Sequence, residues 1–215
     1  YLWPCSKNIK NKSLDLKVFF CGSCNLTQLQ RFNNNYIKKF NSQSSNILFD
    51  KNLLLKRAKL LKKNIKNYKR KKILEIGGGR NPILNYFTNI RGYISDLSID
   101  EQNRKFKYIK KDFNNSAYKK KFFDYIFFFH TLEHIEDPKK FLSKVHYSLK
   151  KDGRIILEVP NLRYFSKYNP SYAFFFQHQS LFTLNSLTNI LRINGFEPTR
   201  KINKSNDVIL LICKK

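Results

Sequence analysis

Methionine is absent from this chain of 215 residues, and tryptophan occurs only once. Because the chain begins at Tyr1 rather than at an initiator methionine, we expect its natural N-terminus to lie upstream. Long apolar runs are also absent. Residues 122–129, FFDYIFFF, form a short run that includes an aspartate, whereas a membrane-spanning helix needs about 20 apolar residues. The first residues, YLWPCSKN, lack the apolar segment of a signal peptide, so we expect a cytoplasmic protein.

Acidic residues are scarce: 15 Asp and Glu stand against 42 Lys and Arg, which gives a formal net charge of +27. Such a charge is typical of proteins that bind nucleic acid or an anionic surface. Codon bias is the alternative that we favour, since Lys, Asn, Ile, Phe and Tyr have A/T-rich codons and Lys outnumbers the Arg that phosphate binding prefers. The most basic stretch, residues 51–72, contains no acid and has leucines near helical spacing, which predicts an amphipathic helix.

Glycine is rare as well, and three of the seven glycines are consecutive, at positions 77–79, directly after the apolar run KILEI. Glycines let a backbone turn sharply and let a ligand approach closely. Asn81 and Pro82 follow as the predicted cap and first residue of a helix, which is typical of a strand–turn–helix unit. The dinucleotide pattern G-x-G-x-x-G would require glycine in place of Pro82, and a tight turn without a ligand is the alternative.

Strand and helix patterns alternate from residue 72 onward, which predicts an α/β fold with a doubly wound, seven-stranded, mainly parallel sheet. Only NKSN separates the last two strands, so they should form an antiparallel hairpin. The expected organisation is a small Cys-containing segment at 1–45, a basic linking helix at 46–71 and the main domain at 72–215. Strands are expected near 72–77, 92–96, 106–109, 123–129, 153–159, 196–203 and 207–213, and helices near 82–89, 98–104, 138–150 and 183–194.

Acidic residues occur at the ends of the first three predicted strands. Asp96 lies about 20 residues after Gly77, the spacing at which an acid can accept both hydroxyls of a ribose. Asp112 and Phe113 end the third strand, where a carboxylate and an apolar ring could hold an adenine. Each acid alone could be a loop or capping residue, but three at successive strand ends, Glu75 included, favour a nucleoside-binding site.

At these motifs the sequence resembles the class I S-adenosylmethionine-dependent methyltransferases. The resemblance covers residues 72 to about 200 in the family's order and spacing, and HTLEHIEDP with LKKDGRIILEVPN is its most specific part. It implies S-adenosyl-L-methionine as cofactor and an antiparallel last strand. The implied cofactor-binding residues are Glu75, Gly77, Gly78 and Gly79 for the methionine part, Asp96 and Leu97 for the ribose, Asp112 and Phe113 for the adenine, and His130 beside the sulfonium.

Residues 130–134, HTLEH, also match the inverted zincin pattern H-x-x-E-H. That chemistry requires one helix that presents both histidines to zinc. Here a predicted strand runs directly into His130 and Asp137-Pro138 opens the next helix, so the motif should straddle a strand end and a loop, and a protease is not expected. We expect Glu133 and His134 to shape that loop by hydrogen bonds.

His178 lies in the segment SYAFFFQHQSLFT, just before Thr183, which is expected to cap the next helix. The segment is similar to a substrate-side motif of the same family, where sugar-modifying members often carry His-Glu-His; this chain has Phe176, Gln177 and His178. A hydroxyl or carbon-acid acceptor needs a base, and His178 is our candidate, with His130 as a second candidate catalytic residue. The alternative is a half-buried histidine that bridges backbone groups.

Four cysteines in a reducing compartment do not favour disulfides. Cys21 and Cys24 form a C-x-x-C pair, Cys5 precedes them, and Cys213 lies in the predicted final strand as a core residue. The N-terminal segment resembles the small zinc-binding segment of some sugar C-methyltransferases, which implies zinc on Cys5, Cys21 and Cys24. Leu2 stands near the place of the fourth ligand, so either that ligand lies upstream or the site has decayed to free thiols.

Three functions are compatible with these motifs. The first is methylation of a small metabolite, such as a sugar nucleotide, a lipid-linked sugar or a quinone-like phenol, with the aromatic, acid-free segment 160–183 over the acceptor. The second is O-methylation of RNA, motivated by the charge; N-P-P-Y and D-P-P-Y are absent after the fourth strand, which weighs against methylation of a base amine. The third is a binding protein that keeps the fold without the chemistry. The patterns do not indicate an oligomeric state.

Overall fold

The computed structural model describes residues 17–30, 51–65, 67–79, 81–96, 105–111, 113–175, 177–202 and 205–215. Its strands are β1 (Val18–Phe20), β2 (Thr27–Leu29), β3 (Lys72–Ile76), β4 (Arg91–Ser95), β5 (Lys107–Ile109), β6 (Phe123–Phe129), β7 (Leu149–Pro160), β8 (Ser180–Leu181), β9 (Glu197–Lys201) and β10 (Val208–Lys214). Its α-helices are α1 (Lys51–Asn64), α2 (Pro138–Ser148), α3 (Leu162–Tyr168), α4 (Pro170–Ala173) and α5 (Leu184–Ile193). Short 3-10 helices occur at Ile83–Tyr86, Phe113–Asn115 and Leu132–His134.

The main sheet has seven strands in the order β5-β4-β3-β6-β7-β10-β9. The neighbours from β5 to β7 run parallel, whereas β10 is antiparallel to both β7 and β9. The predicted α/β fold and its terminal hairpin are therefore confirmed. The strand order reverses between β3 and β6, and the crevice at the carboxyl ends of such strands is where sheets of this kind bind ligands.

Strand β6 shows why the sheet needs cover on both faces. Ile126, Phe127 and Phe128 have no exposed surface. Because side chains alternate across a strand, Phe127 packs in one core cluster with Leu61 of α1, and Phe128 packs in the other with Phe141 of α2. Each buried side chain of this size contributes about 1.5–3 kcal/mol, so the apolar run fixes the central place of β6.

A second, small sheet has the order β1-β2-β8 and connects the N-terminal segment with the main domain. Strand β2 pairs with β8 in antiparallel fashion, with Thr27 opposite Leu181. Cys24, in the turn before β2, belongs to the same core cluster as Phe128. The division into 1–45, 46–71 and 72–215 stays a prediction.

Three predicted helices differ from the observed ones. The amphipathic helix expected at 51–72 is α1, which already ends at Asn64. The helix expected at 82–89 is the 3-10 helix Ile83–Tyr86, with Pro82 rather than Asn81 at its N-cap position and no capping bond from that residue's side chain. The helix expected at 138–150 ends two residues earlier because the long strand β7 already begins at Leu149.

The helix predicted at 98–104 lies outside the described residues. Within the described ranges, no helix combines the length and the apolar character that crossing a membrane requires.

Candidate active site

The glycine turn, Gly77–Gly79, lies at the carboxyl end of β3, beside the reversal of strand order. Gly77 and Gly79 have φ angles of 73° and 54°, in the left-handed region that favours glycine. A Cβ atom on Gly77 would lie 2.3 Å from Oγ1 of Thr131, and one on Gly78 would lie 3.0 Å from Cβ of Pro82. A Cβ atom on Gly79 would meet no atom within 4 Å. The turn is therefore tightly packed at Gly77 and open at Gly79, where a ligand has room.

Glu75 lies beneath the glycine turn and is buried, with 4% of its surface exposed. Its carboxylate oxygens accept hydrogen bonds from the backbone N–H groups of Ile83, at 2.9 Å, and Leu84, at 3.0 Å. Burial raises the pKa of Glu75 to about 7, although these hydrogen bonds and the charge of Arg57 oppose the rise. Glu75 thus caps the 3-10 helix across the turn, the task that the sequence assigned to Asn81.

Asp96 follows β4 and is tied to the glycine turn. Its Oδ2 accepts a hydrogen bond from the backbone N–H of Gly79 at 2.8 Å. The backbone N–H of Gly77 donates to the carbonyl oxygen of Ser95 at 2.9 Å and joins the same two segments. Three of the predicted cofactor residues, Gly77, Gly79 and Asp96, are therefore brought together at one strand end.

The predicted adenine end is described only in part. Leu97 and Asp112 lie outside the described residues. Phe113 is 4% exposed, because its ring packs against Tyr118 and Phe141 with ring centroids 4.7 Å and 5.1 Å apart. The Phe113 ring is thus part of the core and offers little surface to an adenine.

His130 follows β6 with a φ angle of 49°, a strained conformation that costs about 1–3 kcal/mol for a residue with a side chain. Its backbone N–H donates to the carbonyl oxygen of Glu158 at 2.9 Å, and its ring Nε2 lies 2.9 Å from Oε1 of the same residue. Its ring Nδ1 lies 3.3 Å from Oε1 of Glu133. Arg57 of α1 also contacts Oε1 of Glu158, so the basic helix contributes a charge to the site.

The charge of His130 follows from these partners. Burial lowers the pKa of His130, but the carboxylates of Glu133 and Glu158 outweigh burial and raise it to about 9. At neutral pH the ring is a cation between two carboxylates, which suits positioning better than proton abstraction. Sequence analysis missed Arg57 and Glu158; the available signal was one acid within the apolar run RIILEVP.

The segment HTLEH straddles a strand end and a short 3-10 helix, as the sequence predicted. It does not present both histidines from one α-helix, so the inverted zincin geometry does not form within these five residues. The ring Nδ1 of His134 lies 3.0 Å from the carbonyl oxygen of Gln177. Glu133 behaves differently from expectation: it is 2% exposed, and neither of its carboxylate oxygens has a hydrogen-bond partner in the described structure.

His178 is 4% exposed and lies beside the rings of His134 and Tyr172, with centroids 5.1 Å away in both cases. Burial, followed by the charge of His134, lowers the pKa of His178 to about 4. The imidazole is therefore neutral at neutral pH, where it is a lone-pair donor but a weak base. Thr183 caps α5 as predicted, since its Oγ1 accepts from the backbone N–H of Ser186 at 3.2 Å.

A narrow pocket lies between Glu133 and His178, and we call it the acceptor pocket; its cavity volume of about 10 Å³ is that of about one water molecule. Helices α3 and α4 supply part of its wall, and the sequence analysis missed both. Their signals were present, because Asn161 and Asn169 cap them and Pro170 occupies the first turn of α4. The other lining residues are Pro160, Leu162, Phe165, Ala173, Ser180, Leu181 and Phe182.

Cys21 and Cys24 lie in the turn between β1 and β2, and both are free thiols. Hydrogen bonds from the turn, chiefly from Cys24, lower the pKa of Cys21, whereas burial raises that of Cys24. Cys5 lies outside the described residues, and those described place no third metal ligand beside the pair. The predicted zinc therefore has no support from this turn. Cys213 is fully buried in β10, as predicted.

A family model described as a methyltransferase domain matches residues 49–201 of the chain. No curated protein matches the chain significantly. Among solved structures, the chain is similar to 1,6-didemethyltoxoflavin-N1-methyltransferase of Burkholderia thailandensis with bound 1,6-didemethyltoxoflavin and S-adenosylhomocysteine. That structure is 15% identical with a TM-score of 0.66, and the match covers 88% of this chain and 94% of the other.

Two further structures have the same fold. An S-adenosylmethionine-dependent methyltransferase of Aquifex aeolicus is 18% identical with a TM-score of 0.57, and the match covers 86% of this chain and 99% of the other. Phosphoethanolamine N-methyltransferase 2 of Haemonchus contortus in complex with S-adenosyl-L-methionine is 21% identical with a TM-score of 0.54, and the match covers 68% of this chain and 37% of the other. At such identities these structures show the fold alone.

Proposed function

This chain belongs to the methyltransferase domain family and is a class I S-adenosylmethionine-dependent methyltransferase, and from that premise we propose that it methylates an oxygen or carbon atom of a small metabolite. The observation that carries the proposal is the acceptor pocket, which opens beside the glycine turn. Thr131 lies between the pocket and the glycine turn. Its Oγ1 donates to the carbonyl oxygen of Ile76, the residue before Gly77, at 3.2 Å, and Thr131 itself is two residues before Glu133.

The residues of the glycine turn fit S-adenosyl-L-methionine. The space at Gly79 admits a ligand close to the backbone, and the carboxylate at Asp96 can accept hydroxyl hydrogen bonds. When bound, the cofactor supplies an electrophilic methyl group on a sulfonium. We expect Glu75 to position the turn. The direct contacts that we propose are Gly77, Gly78 and Gly79 with the methionine part, Asp96 and Leu97 with the ribose, and Asp112 with the adenine; the ring of Phe113, which packs in the core, would support that end of the site from below.

The lining of the acceptor pocket supports a small acceptor. Apolar and aromatic residues surround Glu133, His178 and Ser180, which is typical of sites that bind small molecules. One sugar ring or one phenol matches such a lining better than a polymer does. Among the described residues no specific contact favours RNA, and RNA binding, a cytoplasmic location and zinc on the cysteines stay predictions.

The two histidines have different expected roles. His130, a cation beside Glu133, is expected to hold the loop between the glycine turn and the acceptor pocket. His178, which lines the pocket, is the candidate that accepts a proton from an acceptor hydroxyl. Because its pKa is about 4, His178 alone is a weak base, so efficient transfer requires that the pocket also lower the pKa of the acceptor.

Transfer of a labelled methyl group tests the proposal. The full chain is incubated with methyl-labelled S-adenosylmethionine and a cell extract, and the small-molecule, RNA and protein fractions are counted separately. We expect label in the small-molecule fraction, its loss with Asp96→Asn, and its retention with the control Asp152→Asn, an exposed acid distant from the turn. Incorporation of label into RNA, abolished when the reaction is run at high salt, would contradict the proposal and support the RNA alternative.

A further inference from the structure

Three side chains that commonly bind metals converge at the acceptor pocket. Glu133 and His134 come from the 3-10 helix after β6, and His178 comes from the segment before β8. One ligand atom of each lies within 4.8 Å of the ligand atoms of the other two. No other group of three such side chains meets this condition in the part of the chain that the structure describes.

The state of Glu133 points to a missing partner. Its surface is 2% exposed, yet neither carboxylate oxygen accepts a hydrogen bond within the described structure. Its ion pair with His130, at 3.3 Å, engages one oxygen only. Buried carboxylates are normally hydrogen-bonded or bound to a metal, because burial of an unpaired charge is costly.

The two histidines are oriented as metal ligands usually are. The ring Nδ1 of His134 faces the carbonyl oxygen of Gln177 at 3.0 Å, which leaves Nε2 with its lone pair for another partner. The ring of His178 hydrogen-bonds to the backbone of Ala173. Such bonds from the second ring nitrogen fix the tautomer and the orientation of a metal-binding imidazole.

We propose that Glu133, His134 and His178 bind a divalent transition-metal ion whose open coordination positions face the acceptor pocket. Two imidazoles and one carboxylate form the ligand set of catalytic zinc sites and of non-haem iron sites, and three protein ligands leave room for an exogenous oxygen. The site differs from the inverted zincin pattern, since His130 is engaged by Glu158 and His178 takes its place.

A cation here has a use in methyl transfer. With the ion bound, His178 would be a ligand and could not accept the proton; a metal-bound hydroxyl or phenol has a lowered pKa and would instead lose its proton to solvent. This use rests on the proposed function, whereas the metal site itself rests only on the three side chains.

Cobalt is the probe that tests the site, because Co²⁺ occupies zinc sites and its absorption distinguishes thiolate from nitrogen and oxygen ligands. The metal-free full chain is titrated with Co²⁺, and bound metal is counted after gel filtration. We expect one ion per chain with no thiolate charge-transfer band in the Cys21→Ser/Cys24→Ser background. Glu133→Gln and His178→Asn should each weaken binding by more than about 100-fold, since even loss of a supporting residue costs about 10–100-fold.

Two variants serve as matched controls. Glu136→Gln removes an exposed acid from the same loop, and His146→Asn removes a histidine that packs against Phe196. Both should bind Co²⁺ as the unchanged chain does, and Co²⁺ should raise the melting temperature of the controls but not of Glu133→Gln. Circular dichroism and S-adenosylmethionine binding show whether each variant is folded.

Equal Co²⁺ affinity in the unchanged chain, Glu133→Gln and His178→Asn would overturn the metal proposal, as would the absence of binding. S-adenosylmethionine binding separates this failure from failure of the proposed function. A chain that binds the cofactor without Co²⁺ refutes the metal site alone, whereas a folded chain that binds Co²⁺ without the cofactor refutes the methyltransferase account and leaves the metal site.

Discussion

The acidic side chains on the two sides of the strand-order reversal differ in the hydrogen bonds that they accept. On the side of β3 and β4, Glu75 and Asp96 accept hydrogen bonds from backbone N–H groups. On the side of β6 and β8, Glu133 is as deeply buried as Glu75 but accepts none within the described structure. The acids described on the cofactor side are therefore hydrogen-bonded before a ligand arrives, whereas Glu133 on the acceptor side lacks a partner that a ligand can supply.

The histidines of the acceptor side extend this contrast. His178 lines the acceptor pocket and His130 contacts Glu133 beside it, yet the pKa of His130 is raised to about 9 and that of His178 is lowered to about 4. Burial lowers the pKa of both; the difference is that His130 lies between two carboxylates, with Nε2 hydrogen-bonded to Glu158 and Nδ1 ion-paired with Glu133. The neighbouring carboxylates, rather than the degree of burial, thus decide which histidine is a cation at neutral pH.

The largest effect is expected on the cofactor side from Gly77→Ala. The new Cβ would lie 2.3 Å from Oγ1 of Thr131, and the alanine would have to keep a left-handed φ, for a combined cost of about 2–5 kcal/mol of unfolding free energy in urea titrations. Adding Thr131→Ala should recover the steric part of this loss. A Gly77→Ala chain as stable as the original would show that the turn is looser than described.

A paired substitution of buried glutamates tests the contrast directly. Glu75→Gln should lower the unfolding free energy by about 1–3 kcal/mol, because an amide N–H₂ replaces an acceptor for Ile83 or Leu84. Glu133→Gln in the metal-free chain should cost about 1 kcal/mol or less, because it removes an ion pair with the partly exposed His130, which keeps its hydrogen bond to Glu158. Equal losses in the two variants would remove the distinction between the two sides.

Stability should depend on pH through His130. Its pKa is raised from 6.5 to about 9, so its contribution is full below pH 6.5 and is lost as the pH rises through about 9. Because 34% of the side chain is exposed, we expect a loss of only about 1–2 kcal/mol. Urea titrations of the metal-free chain between pH 6.5 and 9 should show this slope, and His130→Asn, which tolerates a left-handed φ, should flatten it.

The smallest effect is expected from Gly79→Ala. The new Cβ meets no atom within 4 Å, so only the left-handed φ of 54° contributes, at about 1–2 kcal/mol. Gly22→Ala is the matched control, because its Cβ also meets no atom within 4 Å and no left-handed φ is required there. A lower melting temperature for Gly22→Ala than for Gly79→Ala would contradict this account of the turn.

Local patterns in the sequence were sufficient for the sheet and for several of its boundaries. The run FDYIFFF predicted the central strand, NKSN predicted the terminal hairpin, and Thr183 predicted the start of α5. Each of these features depends on residues that are neighbours in the chain. The central strand depends on its run of buried side chains, the hairpin on a short turn, and the start of α5 on a cap.

Contacts between distant segments were not predictable in the same way. The capping of Ile83 and Leu84 by Glu75, the pairing of His130 with Glu158 and the convergence of Glu133 with His178 all depend on strand order and register. HTLEH contains two of the three converging side chains, Glu133 and His134, but not His178, which the fold brings to them from a distant part of the sequence.

Calorimetric titration of the full chain with S-adenosyl-L-methionine tests the central claim, that the glycine turn and Asp96 form the cofactor site, most directly. We predict one binding site per chain, weakened about 10–100-fold by Asp96→Asn through loss of charged hydrogen bonds and unaffected by Glu133→Gln. Absence of binding by the folded chain, or equal affinity in Asp96→Asn, would contradict the account.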